Sequence, residues 1–557
     1  MRTTKDLKVT FLGITPVLSD KTGVLSPQEI VSLSSLLTFK GKSVQHLHKE
    51  SIEKGQDFEK KIQRIMRKSS LKGHASIATT PTLCFSYEAS KFYDSALTGM
   101  IFGSALMASG RRTDTTKEDI VYPTTVLKNA QAKKIYQKCS ERNIDFFNYL
   151  LERKVKKDET SKTLQYGIYG TGIIQFPLES IITLKREWEL EKDWLPEEIG
   201  MLLKKIEEQL KTYGVDFLYA TRQVAPRNTY PYPHIFKNPK NSNFVRDLIG
   251  NKKRRAVSEI ISYDFNHTDG LKKRLSGLNR KLKQVARNKK KIESRWYDIL
   301  LERQHIARDY NPAVSIKMLS TVSWRVWGDK KRHRTVPMVA ESVYYCADRA
   351  AKVFGKYRKQ ILSFCHPELG SGSKEMPKQV WHDEWKKISA KIIDELSAVY
   401  SIPPTIRAND NLLRKWLERA LDSLETYKKL ISLKVMPRDA IFVMPRGLKI
   451  DVLQDYNLFN LIAGYYPLRT CSTVEEELQR ETLKEMAMIK KLLGKNKMDY
   501  VAKNMAVKCQ VAGFCLEEKA CGTIKALVRD YDETFHQTMH QDLENRFQEK
   551  LKKINTH

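Results

Sequence analysis

At 557 residues, with 41% apolar side chains, 24 Tyr and 20 Phe, the chain is long enough to bury several cores, which excludes a disordered or fibrous polymer. Its 98 Lys and Arg against 65 Asp and Glu give a formal charge of +33, a balance that draws anionic ligands and polyanions without naming one. No run of about 18 apolar residues is present, and the opening "MRTTKDLKVTFLGITP" is too short in apolar residues for a signal peptide. The expectation is a soluble, cytoplasmic protein with no membrane partner, whose eight scattered cysteines are thiols of a reducing compartment.

In chain order, β-like segments stand at 8–14 ("KVTFLGI") and 82–88 ("TLCFSYE"), followed by a helix over about 197–213 and a Pro-containing return at 218–236. "NPKNSN" (238–243) reads as a break. Residues 252–295 carry 15 basic and 4 acidic side chains, and Leu271, Leu275, Leu278, Leu282 and Val285 recur there at helical spacing. One face of a helix over about 271–308 can therefore pack while the other is either solvated or turned to a nucleic acid or nucleotide. A third β-like segment follows at 313–319, then helices over about 338–361, 378–400 and 409–433, a return at 439–450, and a helix at 473–493. Ser472 with Glu475 suits a capping box for that last helix. Strands separated by many long helices predict an α+β protein of two halves, not a doubly wound sheet.

The stretch with the most chemistry is "KKRHRTVPMVAESVYY" (330–345). Arg332 and Arg334 offer planar forks suited to phosphate or pyrophosphate, and His333 between two cations resists protonation, so it can hydrogen-bond without adding charge. Elsewhere, Cys509, Cys515 and Cys521 with His536 and His540 can be read as zinc ligands or as ordinary thiols and a helix surface. Their x5 spacing is unusual for a metal, and no metal site is assigned. "CHPELGSGSKEMPK" (365–378) lacks the arrangement of a phosphate-binding Gly loop, and no hydrolase pattern is present.

Arg332-His333-Arg334 followed, after seven residues, by Ser342 resembles the motif of the flavin-dependent thymidylate synthase family. Downstream, 427–486 resembles the family's C-terminal half, with Met444-Pro445 and Leu468-Arg469 in matching places; a candidate Asn457 sits one residue off, and Asp329 stands where the family often has Gln. The first half resembles the family as well: "GHASIATTPTLCFSYE" (73–88) is similar to its Gly-His-x-Ser segment and "SGRRTDT" (109–115) to its Ser-x-Arg segment. The triplet's place there is Gly99-Met100-Ile101, whereas the second half has Tyr344 in place of the family's arginine and Ile441 where Arg222 precedes Pro226.

The resemblance implies a tandem fusion of two divergent copies, each a mostly antiparallel sheet with long helices. Residues 1–250 form the half without the triplet, 251–310 a basic helical junction, 311–500 the half with it, and 501–557 a Cys- and His-containing helical tail. It further implies reductive methylation of dUMP to dTMP, with FAD as cofactor and NADPH and methylenetetrahydrofolate as co-substrates. Arg332, His333 and Arg334, with His74 and Ser76, would hold flavin, although His74 and Ser76 read equally well as a turn. Ser109, Arg111, Arg222 and Ser342 would hold the nucleotide phosphate and Arg469 the uracil carbonyl edge, Ser342 and Arg469 serving catalysis in a composite site drawn from both halves. Two chains would form a homodimer with pseudo-tetrameric symmetry. The alternative is a degenerate relative that binds or modifies pyrimidines in nucleic acid through the basic surface at 252–295.

Overall fold

The alternation in "TLCFSYEAS" does what period-2 patterning requires: Leu83, Phe85, Tyr87 and Ala89 are buried, and the residues between them are half-buried on the other face. In the computed structural model this strand, Thr82–Ser90, lies inside a four-stranded sheet between Lys8–Thr15 and Tyr169–Pro177, with Ser104–Met107 on the far edge. All three pairings are antiparallel, with Phe11 opposite Phe85 and Phe85 opposite Ile174. The structure describes residues 1–20, 23–72, 74, 76–108, 114–225, 232–250, 258–286, 292–365, 390–527 and 531–555. They divide into two compact units: Met1–Asn243 with Ser323–Arg332 and Ala340–Ile450, and Phe244–Val322 with His333–Val339 and Asp451–His557.

The first unit packs helices of both chain halves together. Helix Ala130–Glu152 lies against helix Asp410–Ser432, with Phe146 meeting Trp416 edge-on and the Ser423 hydroxyl 3.2 Å from Asn143 Oδ1. Both helices have 23 residues, both are capped by an Asn side chain (Asn129, Asn409), and both are followed by a Lys at positive φ (Lys154, Lys434). A helical turn, a 3-10 turn and a strand follow each: Lys157–Thr160, Ser161–Thr163 and Tyr169–Pro177, then Pro437–Ala440, Ile441–Val443 and Lys449–Asn457. Gly167 and Gly447 hold corresponding places before the two strands. A Cβ at Gly167 would come within 2.6 Å of the Phe442 carbonyl, and one at Gly447 within 2.8 Å of the Tyr400 ring. Phe92 stacks on Phe442 at 4.1 Å, and Tyr166 lies 4.5 Å from Trp324 in the same aromatic core.

The second unit is built on a sheet ordered Met338–Ala340, Lys449–Asn457, Val314–Ser323, Ser258–Phe265. The basic stretch contains helix Thr268–Ala286, and of its expected apolar face Leu271, Leu275 and Leu278 are buried in one core with Ile306, Ile316, Tyr456, Leu461 and Ile489, while the side chains of Leu282 and Val285 lie outside what the structure describes. Lys281 on the other side pairs with Glu302 at 2.7 Å. Residues 287–291 lie outside the described residues, and helix Ile292–Asp309 follows, so the expected 271–308 element is described as two helices.

Two further expectations change. The helix placed at 338–361 is strand Met338–Ala340 followed by helices Val343–Lys356 and Arg358–Cys365, because the residues after Pro337 join a sheet edge. The cap of Glu476–Lys495 is the Glu475 carboxylate, which accepts from the Leu478 N–H at 2.9 Å, and not Ser472. Most of the helix expected at 378–400 lies outside the described residues. Among the described residues, no helix is long and apolar enough to cross a membrane.

Candidate functional site

The triplet begins where helix Trp324–Lys330 ends. Ser323 caps that helix by accepting from the Val326 N–H at 3.2 Å, and the turn delivers Arg332 at the helix's C-terminal end. Within the first unit Arg332 reaches Asp94 at 3.1 Å and Asp329 at 3.4 Å, with its side chain still 43% exposed. Asp94, foremost, keeps the Arg332 guanidinium firmly charged. Burial alone would raise the Asp94 carboxyl, but Arg332, then Lys331 and Arg325, outweigh it and hold the group below the usual carboxylate range. Asp329 also pairs with Arg325 at 3.0 Å.

Lys331, which the sequence reading passed over, is fully buried. Its ammonium donates to the Asp94 and Ser95 carbonyls and lies 4.4 Å from the centre of the Trp327 ring. Burial, partly countered by Asp94, pulls its pKa down to about 7. The position matching the triplet in the first half is likewise interior: Met100 is buried and the Ile101 carbonyl accepts from the Ser180 hydroxyl at 2.6 Å.

In the second unit, His333 and Arg469 come together from 136 residues apart: the Arg469 Nε–H donates to His333 Nε2. An accepting ring nitrogen is what a neutral imidazole offers. Arg469 is the last residue of helix Tyr465–Arg469, and the Tyr465 ring stands edge-on to His333 at 4.9 Å. Tyr456, Tyr465 and Tyr466 pack mutually at 5.1 to 5.3 Å behind it. Asn457 caps the preceding helix Leu458–Ile462 and also receives an Asn460 side-chain N–H, and Asn460 in turn binds the Thr335 carbonyl at 3.0 Å. The turn after the triplet is thereby tied to the segment that presents Arg469. Arg334 is exposed and makes no hydrogen bond or ion pair among the described residues.

The other expected site residues are placed differently. Ser342 is buried, and its hydroxyl donates to the Lys237 carbonyl at 2.7 Å. Arg222 is fully buried, paired with Glu179 at 3.3 Å and donating to the Ser70 carbonyl at 3.0 Å, so its polar atoms face protein groups. His74 and Ser76 are exposed beside the short helix Ser76–Thr79, where the Ser76 carbonyl accepts from the Thr79 hydroxyl at 2.7 Å. Ser109 and Arg111 lie outside the described residues. Tyr344 is interior, its hydroxyl donating to the Trp194 carbonyl.

The cysteines of the tail do converge. Cys509, Cys515 and Cys521 line one small cavity together with Cys471, which the sequence reading left out because it lies 38 residues before Cys509. Burial, then the neighbouring Cys515, Cys471 and Cys521, pushes the Cys509 thiol up to about 11. His536 and His540 point to backbone instead: their Nε2 atoms lie 2.9 Å from the Glu518 carbonyl and 3.0 Å from the Cys515 carbonyl.

Residues 272–493 match the family model described as thymidylate synthase complementing protein. A flavin-dependent thymidylate synthase of Pyrococcus furiosus is 24% identical over 130 residues, 23% of this chain and 52% of that protein. Its counterpart in Pyrococcus abyssi is 20% identical over 128 residues, 23% of this chain and 51% of that protein. The chain thus spans about half the length of the curated relatives it matches. A crystal structure of a UMP/dUMP methylase, PolB from Streptomyces cacaoi, bound with 5-Br dUMP, is 12% identical, with a TM-score of 0.32 over 41% of this chain and all of that one. The matched residues 272–493 contain Arg332, His333, Arg334, Ser342 and Arg469, and it is over this part of the chain that it resembles the thymidylate synthase complementing protein family.

Proposed function

We propose that the chain methylates the uracil base of dUMP to dTMP, with FAD as cofactor and NADPH and methylenetetrahydrofolate as co-substrates. The observation that carries this is the hydrogen bond from Arg469 to His333, which joins the family's triplet to the arginine that the resemblance assigns to the uracil edge. The donor set suits a flavin diphosphate: Arg334 is an exposed cation, and Arg332 is half-exposed with two carboxylates from which it can be shared. Bound flavin would supply the reducing equivalents, and the protein's task would be positioning and electrostatics. Arg469, cationic at all relevant pH, would stabilise negative charge developing on the pyrimidine. His333, as a neutral imidazole, would orient Arg469 without repelling the flanking arginines.

We assign Ser342 and Arg222 to holding the fold, since the hydroxyl of one is given to Lys237 and the guanidinium of the other is paired with Glu179. Arg111 remains, by resemblance, the first half's phosphate contact. The recurrence of capped helix, positive-φ Lys, helical turn, 3-10 turn and strand from 129–177 in 409–457 supports a tandem origin, and with it a homodimer that provides four family-like units.

The test is dUMP titrated into the yellow, FAD-loaded chain while the flavin absorption band is followed. A saturable perturbation of the band, weakened in Arg469→Ala, is expected. Colourless protein that fails to take up added FAD, or a flavin band indifferent to dUMP, would overturn the proposal.

A further inference from the structure

Strand Thr82–Ser90 runs into helix Phe92–Leu97, and strand Val314–Ser323 runs into helix Trp324–Lys330. These are corresponding elements of the two halves, since each strand is hydrogen-bonded to the one that follows its own half's 3-10 turn, Tyr169–Pro177 or Lys449–Asn457. Only the second helix leads into the triplet. The first leads to Gly99 and the buried Met100, with no cation to offer a ligand.

In the first unit the two helices meet. The Trp324 indole N–H donates to the Ser95 hydroxyl at 2.9 Å, and Phe92 stands edge-on to the Trp324 ring at 5.6 Å. The Lys331 ammonium donates to the carbonyls of Asp94 and Ser95, and its stem passes Gly99, where an added Cβ would stand 3.7 Å from Lys331 Cδ. The residue just before Arg332 is therefore fixed to the helix of the other half. Arg332 itself is held by two carboxylates: Asp94 Oδ1 lies 3.1 Å from one terminal nitrogen of its guanidinium and Asp329 Oδ1 3.4 Å from the other. Asp329 Oδ2 in turn takes Arg325 at 3.0 Å, so Asp94, Arg332, Asp329 and Arg325 form one chain of alternating charge. The acid standing where the family often has Gln is thus engaged inside this network. Burial opposes ionisation of Asp94, and Arg332, Lys331 and Arg325 overcome it. A guanidinium engaged at both terminal nitrogens has lost much of its rotamer freedom, so its exposed edge is oriented before any ligand arrives.

We propose that Asp94 is a positioning residue for Arg332: the half without the triplet supplies the carboxylate that presents the other half's arginine to a diphosphate. The inference rests on the reading of the triplet as the flavin site. It gives the first half's helix a task that needs no contact with the cofactor.

The test compares FAD affinity, read by flavin fluorescence, for the full chain unaltered, with Asp94→Asn, with Arg332→Ala, and with both changes together. Asp94→Asn should weaken binding by roughly 3- to 100-fold, the range over which residues of one ion-pair network couple. In the Arg332→Ala background the same change should alter affinity by less than about twofold, because a positioning residue acts through the group it positions. Asp94→Glu, which keeps the carboxylate, should recover most of the affinity. Equal losses with and without Arg332, no loss at all, or no recovery in Asp94→Glu would overturn the assignment while leaving the flavin reading in place. An unaltered chain that takes up no FAD would overturn both. If Asp94→Asn does not fold, phenylglyoxal labelling of the unaltered, flavin-free chain decides, mapped by mass spectrometry of its peptides. Arg332 should then be modified more slowly than the exposed Arg334, and equal rates would overturn the assignment.

Discussion

The residues of the triplet carry unequal burdens. Arg332 is engaged by Asp94 and Asp329, whereas Arg334 is exposed and makes no pair among the described residues. Charge-assisted contacts are worth about 1.5 to 3 kcal/mol each, so Arg332→Ala with Arg334→Ala should weaken flavin binding by roughly 10- to 150-fold per lost contact, read as flavin retained on desalting. A folded double variant with full flavin content would contradict that. Two buried groups set opposite pH dependences on stability. Burial, against hydrogen bonds from Ser90, raises Glu198 from 4.5 to about 7, so its protonated form belongs to the fold. Its contribution is full below about 4.5 and is lost as pH rises towards about 7. Lys331 is depressed from 10.5 to about 7, so its contribution is full above 10.5 and is lost as pH falls towards about 7. In urea unfolding followed across pH, Glu198→Gln should flatten the first limb and Lys331→Met the second. Unchanged slopes in both variants would contradict the assigned burial.

At the scale of elements, the periodicity of helices was legible and their junctions were not. Helix Asp410–Ser432 was readable at 409–433 because its apolar face recurs without interruption. Strand Met338–Ala340 was misread as helix because three residues cannot show a period, and their state is set by the neighbouring strand Lys449–Asn457. The site divided in the same way. Arg332, His333 and Arg334 stand side by side in sequence, and a known motif reveals them. Lys331 and Asp94 carry no pattern of their own, and Cys471 is too distant in sequence from Cys509 to suggest a shared cavity. The matched caps yield a prediction here. Asn129 Oδ1 accepts from the Ala132 N–H and Asn409 Oδ1 from the Leu412 N–H, both at 3.0 Å. Asn129→Ala and Asn409→Ala should each cost about 0.5 to 2 kcal/mol in chemical denaturation. A loss confined to one of them would mean that the two helices are not equivalent elements.

For the whole molecule, the elements of 129–177 recur in the same order at 409–457, and on the tandem origin proposed above two chains should suffice for the four-unit assembly. Light scattering of the flavin-loaded protein should give twice the 64.6 kDa chain mass. A monomer that still binds flavin and dUMP would contradict the assembly while leaving the site intact. The central claim is that the His333 and Arg469 pair belongs to a working dUMP-methylating site. The measurement that reaches it most directly is product formation: chain, FAD, NADPH, methylenetetrahydrofolate and dUMP are incubated together, and the nucleotides are separated and weighed by mass spectrometry. dTMP should accumulate with the unaltered chain and fall by at least about 100-fold with Arg469→Ala, as removal of one charge-stabilising donor predicts. Fully flavin-loaded protein that converts no dUMP, or equal turnover by Arg469→Ala, would contradict the account.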